Sequence, residues 1–260
     1  MIIQTGAEIA PVFFIVVLIH ATLFLFRHRD ERGKTPERSK AMSKIWYLSP
    51  SNQSGNLGVN GYGNERDQMY RLTDAITPHL DRCGVSFHVA DMDMLIAQRA
   101  TEANEMDAAY YLAFHSNAGG NGSAYGPVAY YFSAGKQLAE TLVEQLKATG
   151  QPSNRSTSIV KNQGLYELRA PKAPAVLLEV DFHDSAIGVD FLTTRRQDAA
   201  EAIAKAIVAV DGKQWVDAKS EKDRAIELGL FDKDEQGSYR WNDPMTREEA
   251  AMALIRLKNS

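Results

Sequence analysis

From Lys44 onward the chain alternates short apolar runs with amphipathic stretches, the pattern of a wound α/β sheet. Residues 44–49 predict a first strand ending at Pro50, and a polar, Gly-rich loop over 51–63 comes next. Glu65 opens a helix whose apolar positions Met69, Leu72, Ile76 and Leu80 recur at spacings of three and four, and Gly84 stops it. Further strands are expected at 85–90, 109–114, 128–132 and 175–180, with an edge strand at 164–168. Helices are expected at 95–104, at 136–148 and, Ala-rich, at 187–210. The fold class is therefore α/β: a central, mostly parallel twisted sheet flanked by helices. Beyond Trp215 the character changes to two short amphipathic helices around a Gly/Asp loop, a small C-terminal helical module.

The N-terminus is distinct. Ile9 to Phe26 is an 18-residue stretch without a charged side chain, and Arg27, Arg29, Arg32, Lys34, Arg38 and Lys40 come directly after it. Eighteen apolar residues just reach the length that crosses a bilayer core. A secretory signal would carry its positive charge ahead of the apolar run, whereas here Glu8 precedes it and arginines succeed it. The positive-inside rule would keep the domain after residue 41 in the cytoplasm. Two readings stand: a segment that engages a membrane through residues 9–26, or an extension ahead of a start at Met42. The division expected is 1–41 (apolar segment and basic linker), 42–212 (main domain) and 213–260 (C-terminal module).

Charge narrows the function. The whole chain is at −4, and residues 42–260 are more acidic than that because residues 1–41 are net basic. Nucleic acid, whose phosphates need a clustered basic face, is excluded as a partner. A single cysteine, Cys83, leaves no internal disulfide and no Cys-rich zinc site, so any metal must be held by His, Asp or Glu.

Polar residues gather where the predicted strands end, the usual place for function in wound sheets. Ser49-Pro50-Ser51-Asn52-Gln53 lies at the end of the first strand, Glu65 starts the first helix, and His115-Ser116-Asn117 lies at the end of the strand at 109–114. Glu179 comes directly after Ala175-Val-Leu-Leu178, with His183 and Asp184 just beyond. A Glu and a His at neighbouring strand ends with a second Glu opposite suits a catalytic zinc site: N/O ligands, an open position and a free carboxylate. Each residue also has a structural alternative. Glu65 suits the first turn of any helix, and His115 could be a satisfied boundary histidine. Glu179 at the edge of a core is costly unless something compensates it.

These residues carry a resemblance. Arg99, Ala103-Asn104 and Phe114-His115-Ser116-Asn117-Ala118, then Leu165-Tyr-Glu-Leu-Arg169 and Pro174-Ala-Val-Leu-Leu-Glu179 with Phe182, resemble the zinc-dependent N-acetylmuramoyl-L-alanine amidases over roughly residues 44–210. The resemblance implies an enzyme that uses Zn2+ to cut the amide between N-acetylmuramic acid and L-alanine in peptidoglycan. It makes Glu65 and His115 zinc ligands, Glu179 the catalytic carboxylate and Arg169 a residue that orients Glu179 or meets a stem-peptide carboxylate. Asn52 stands where the family has its first His ligand. The Ser49–Gln53 loop and Phe182-His183-Asp184 resemble a phage and Gram-positive branch, which raises His183 as the replacement ligand. Asn52, Gln53 and Asn117 would then meet substrate. Residues 225–230 and 245–251 are similar to one S-layer-homology unit, implying contact with cell-wall polysaccharide, with a simple capped helix as the alternative. The implied place of action is the cell wall, in the manner of an autolysin or endolysin. A silent wall-binding protein that keeps this fold is the other reading.

Overall fold

The computed structural model describes residues 44–119, 121–218, 221–233, 237, 239 and 246–259. The segment expected at residues 9–26, and the division at residue 41, lie outside them. Among the described residues no helix is long and apolar enough to cross a membrane.

Six strands, β1 (Ile45–Pro50), β2 (Ser86–Val89), β3 (Tyr110–Asn117), β4 (Val128–Phe132), β5 (Ile159–Lys161) and β6 (Ala175–Phe182), form one sheet in the order β2-β1-β3-β6-β4-β5. Neighbours are parallel except β4 and β6, which run antiparallel. The expected α/β class with a mostly parallel sheet is what the chain adopts. The helices are α1 (Glu65–Arg82), α2 (Ile96–Glu105), α3 (Lys136–Ala148), α4 (Tyr166–Arg169), α5 (Ala186–Thr193), α6 (Arg196–Val210), α7 (Glu221–Glu227) and α8 (Arg247–Asn259).

Strand side chains alternate between two faces, and each face has its own core. Trp46, Leu48, Leu112, Phe114, Val176, Leu178 and Val180 point to one face, where α1, α3 and α6 cover them with Leu72, Ile76, Leu142, Ile203 and Ile207. Tyr47, Tyr111, Ala113, Ala175 and Leu177 point to the other, packed with Ala103 of α2 and Leu168 of α4. Continuing that alternation puts Ser49, His115 and Glu179 on the second face, toward the C-terminal ends of three adjacent strands.

Local signals account for the ends of α1. Asn64 caps it, its side chain accepting from Asp67 N at 2.9 Å. Gly84, at φ +68°, closes it, with Val85 N donating to Leu80 O at 2.9 Å.

Three expectations are corrected. Residues 164–168 form no edge strand: Tyr166–Arg169 is one helical turn, and the sheet is edged by β2 and β5. The helix expected at 187–210 is two, α5 and α6, with the break at Thr194 and Arg195. Strands β3 and β6 run on past residues 114 and 180, to Asn117 and Phe182, because backbone pairing between them continues until those two residues face each other.

Arg99, fully buried, ties this end of the sheet together. Its guanidinium donates to the carbonyls of Pro50, Asp91 (2.9 Å) and Met94 (3.1 Å) and to Ser49 Oγ at 3.3 Å. A planar fork with five donors can meet all of these at once, and no other side chain can. Arg99→Met is expected to lower stability by roughly 3–5 kcal/mol with the fold retained, read as a lower urea midpoint at unchanged m-value. A loss below about 0.5 kcal/mol, the scale of a neutral surface change, would contradict this role.

Candidate active site

The parallel register sets His115 of β3 directly beside Glu179 of β6, with a bulge between His115 and Asn117. Strand β1 ends alongside at Ser49 and Pro50, with Pro50 in register with Phe114. The loop after β1 is folded by its own polar groups: Ser51 N donates to Phe114 O at 2.8 Å and Glu65 N to Asn56 O at 2.9 Å. Gly58 packs so closely against Tyr62 and the His183 carbonyl that a Cβ there would lie 2.5 Å from the ring and 2.7 Å from the oxygen. This closed loop delivers Glu65, at the start of α1, to His115.

The His115 ring is bonded at both nitrogens. Nδ1 lies 2.8 Å from Glu65 Oε1, and Nε2 lies 2.9 Å from Glu167 Oε2. All three side chains are buried. Glu167, delivered by the single turn α4, has its other oxygen held by hydroxyl donors from Ser49 and Tyr111, each at 2.9 Å. Glu65 Oε2 accepts from Asn56 Nδ2 at 2.6 Å, and the Gln53 amide lies 3.2 Å from His115 Nδ1.

This packing sets the electrostatics. Burial opposes charge on His115, but the bonds to Glu167 and Glu65 outweigh it and raise its pKa to about 10. Glu65 and Glu167 would be raised by burial, yet their bonds to His115 hold both below the ordinary carboxylate value. Glu179 is different. Burial and the repulsion of Glu65 and Glu167 outweigh the attraction of His115 and push it up to about 7. Its Oε2 is shielded from solvent and has no hydrogen-bond partner among the described residues.

Three carboxylates thus face one imidazole, more buried negative charge than a single imidazolium balances. Adjacent imidazole nitrogen and carboxylate oxygen donors are the donor types of catalytic zinc sites. The excess negative charge, this donor pair and the orphaned Glu179 oxygen together suit a divalent cation. Among the described residues, however, no three His, Cys, Asp or Glu side chains are grouped so as to hold a metal ion.

The other expected residues take up varied positions. His183 Nδ1 bonds to Ser116 O at 2.8 Å and its ring stacks on Tyr62, whose hydroxyl bonds Ser116 Oγ at 2.7 Å. Asn52 turns toward α2, donating to Met94 O at 3.1 Å, while exposed Gln53 is the one that faces His115. Asn117 ends β3, its Oδ1 accepting from Ala118 N at 2.8 Å. Arg169 is exposed; it donates to Gly164 O in its own loop and lies over the Tyr166 ring at 5.4 Å. Glu167, Ser49 and Tyr111 were not expected from sequence. The signal for Glu167 was a carboxylate between Leu165 and Leu168, hidden by reading 164–168 as an edge strand.

A family model described as N-acetylmuramoyl-L-alanine amidase matches residues 50–209. No curated protein matches the chain in sequence. Solved structures share the fold. The N-acetylmuramoyl-L-alanine amidase AmiC2 of Nostoc punctiforme aligns at 20% identity and TM-score 0.58, over 65% of this chain and 97% of that one. The amidase Ami1 of Mycobacterium smegmatis aligns at 18% identity and TM-score 0.58, over 65% and 97%. The putative N-acetylmuramoyl-L-alanine amidase of Neisseria meningitidis aligns at 22% identity and TM-score 0.57, over 68% and 100%. With more than half of its length matched by that model, this chain belongs to the N-acetylmuramoyl-L-alanine amidase family.

Proposed function

We propose that the chain is a peptidoglycan hydrolase that cleaves the amide between the lactyl group of N-acetylmuramic acid and L-alanine of the stem peptide, using zinc. The observation that carries this reading is the unpartnered, buried Glu179 oxygen beside the Glu65–His115 pair, in a chain of this family. Glu65 and His115 would hold the metal, and the Gln53 amide, against His115 Nδ1, is the third side chain at hand. His183, its Nδ1 bonded to Ser116 O, keeps Nε2 for a metal and stays the proposed replacement ligand, while its carbonyl accepts from Val59 N at 3.0 Å and helps to close the loop that carries Glu65. When bound, zinc supplies a Lewis acid that polarises the scissile carbonyl and activates water.

The chain's own residues do the rest. Glu179, beside the Glu65–His115 corner, takes a proton from the attacking water as the oxygen–carbon bond forms. It returns that proton to the alanine nitrogen as the carbon–nitrogen bond breaks, leaving a lactyl carboxylate and a free amine. Arg169, exposed two residues beyond Glu167, is available to a stem-peptide carboxylate, and Asn52, Gln53 and Asn117 are the side chains we assign to substrate contact. The place of action would be the cell wall. For the C-terminal helices, contact with wall polysaccharide is supported by the similarity of residues 225–230 and 245–251 to an S-layer-homology unit. There Thr246 and Glu249 cap α8 reciprocally, at 2.7 and 3.1 Å, and Arg256 of α8 meets Asp232 at 2.6 Å.

Glu179→Gln keeps the shape and removes the proton acceptor. Hydrolysis of purified cell walls is expected to fall at least ~10²-fold while bound zinc is unchanged. A variant clearing walls at near wild-type rate would make Glu179 structural, and a wild type that binds walls but never cuts them would favour the silent wall-binding protein.

The same substitution tests the electrostatics in metal-free protein. Because Glu179 has a folded pKa raised from 4.5 to about 7, its contribution to stability is full below pH 4.5 and is lost as pH rises through 7. Metal-free Glu179→Gln should therefore match wild type near pH 4 and exceed it by on the order of 2 kcal/mol above pH 7. Thermal unfolding across that window is the measurement. Parallel curves for the two proteins would show that Glu179 titrates at its ordinary value.

A further inference from the structure

We propose that Glu167 is a positioning residue that fixes which nitrogen of His115 faces the metal, an inference that rests on the zinc-amidase reading above. A carboxylate at 2.9 Å from Nε2 can only accept, so the proton on that nitrogen is committed to Glu167. Glu65 Oε1 likewise only accepts from Nδ1, but Glu65 is the proposed metal ligand, so a metal held there takes the place of the Nδ1 proton and leaves the Nε2 proton with Glu167.

Glu167 is itself held too firmly to be an incidental neighbour. It is 4% exposed, and its Oε1 takes hydroxyl donors from Ser49 and Tyr111, both at 2.9 Å. Ser49 Oγ in turn accepts from the buried Arg99 at 3.3 Å, which orients the Ser49 proton toward Glu167. The carboxylate is thus pinned on one oxygen and aimed at His115 with the other. A ring bonded in this way cannot flip without leaving a buried acceptor unpaired. Partners that orient a metal-ligating imidazole through its second nitrogen are worth 10–100-fold in metal affinity, roughly.

Glu167→Gln tests this with a side chain of the same shape. Two hydroxyl donors at the Oε1 position keep the amide oxygen there, which turns the NH2 group toward His115 Nε2. Nε2 must then accept, its proton moves to Nδ1, and the metal-facing nitrogen is blocked. Zinc affinity, measured by competition with a chromogenic chelator, is expected to fall at least ~10-fold. Imidazole nitrogen NMR is expected to place the proton on Nδ1 of the variant and, in zinc-loaded wild type, on Nε2. Unchanged zinc affinity, or a proton still on Nε2 in the variant, would overturn the proposal while leaving the amidase reading intact. If Glu167→Gln does not fold, the wild-type spectrum decides alone: zinc on Nε2 with the proton on Nδ1 overturns it. A wild type that takes up no zinc overturns both this proposal and the reading it rests on.

Discussion

The site depends on how one buried imidazole is held. His115 sits at the C-terminal end of a central strand with a carboxylate at each nitrogen, Glu65 on one side and Glu167 on the other. Neither carboxylate reaches it by chance of sequence proximity. Glu65 arrives on the first turn of α1, at the end of a loop whose closure needs the Gly58 contact and the Asn64 cap. Glu167 arrives on a single helical turn, pinned there by Ser49 of β1 and Tyr111 of β3. Loss of either would strand a buried charge, which costs far more than the hydrogen bond removed.

That arrangement leaves Glu179 as the odd group out. It lies beside His115 in register, but both imidazole nitrogens are already engaged, so its charge has no direct partner and its pKa stays near 7. A carboxylate set beside the proposed metal corner with one oxygen unpartnered is placed to accept a proton there. The fold meets the cost through the extensive apolar cores on the two faces of the sheet, since the polar cluster occupies only the ends of three strands. Unpaired charge is concentrated where the chemistry belongs, and the rest of the domain packs as an ordinary apolar interior.

Much of the fold was legible because its long elements carry strong periodic signals. Helix α1 shows Met69, Leu72, Ile76 and Leu80 on one stripe over 18 residues, with a glycine at its end. Strands β1, β3 and β6 are continuous apolar runs, as parallel strands covered on both faces must be. The short pieces failed for want of length. Three residues, Ile159–Lys161, cannot show a period of two, and four residues, Tyr166–Arg169, cannot distinguish a helical turn from a strand. That second ambiguity hid Glu167, which the helical turn, and not a strand, carries to His115. The site was legible where it depended on strand ends, which brought out His115 and Glu179 together. It was not legible where it depended on loop paths. Which of Asn52 and Gln53 faces His115, and which way His183 turns after β6, are set by hydrogen bonds to Met94, His115 and Ser116 that no local pattern encodes.

The central claim is that Glu65 and His115 together form the metal-binding corner, with Glu167 behind the imidazole and Glu179 in front of it. A crystal structure of the zinc-loaded protein, with anomalous scattering at the zinc edge, tests it most directly. The account expects one anomalous peak bonded to Glu65 Oε1 and His115 Nδ1, with the Glu167 bond to Nε2 preserved and Glu179 outside bonding distance of the metal. A peak on Nε2, a peak at His183 without Glu65, or a zinc-loaded crystal with no peak at this corner would contradict it.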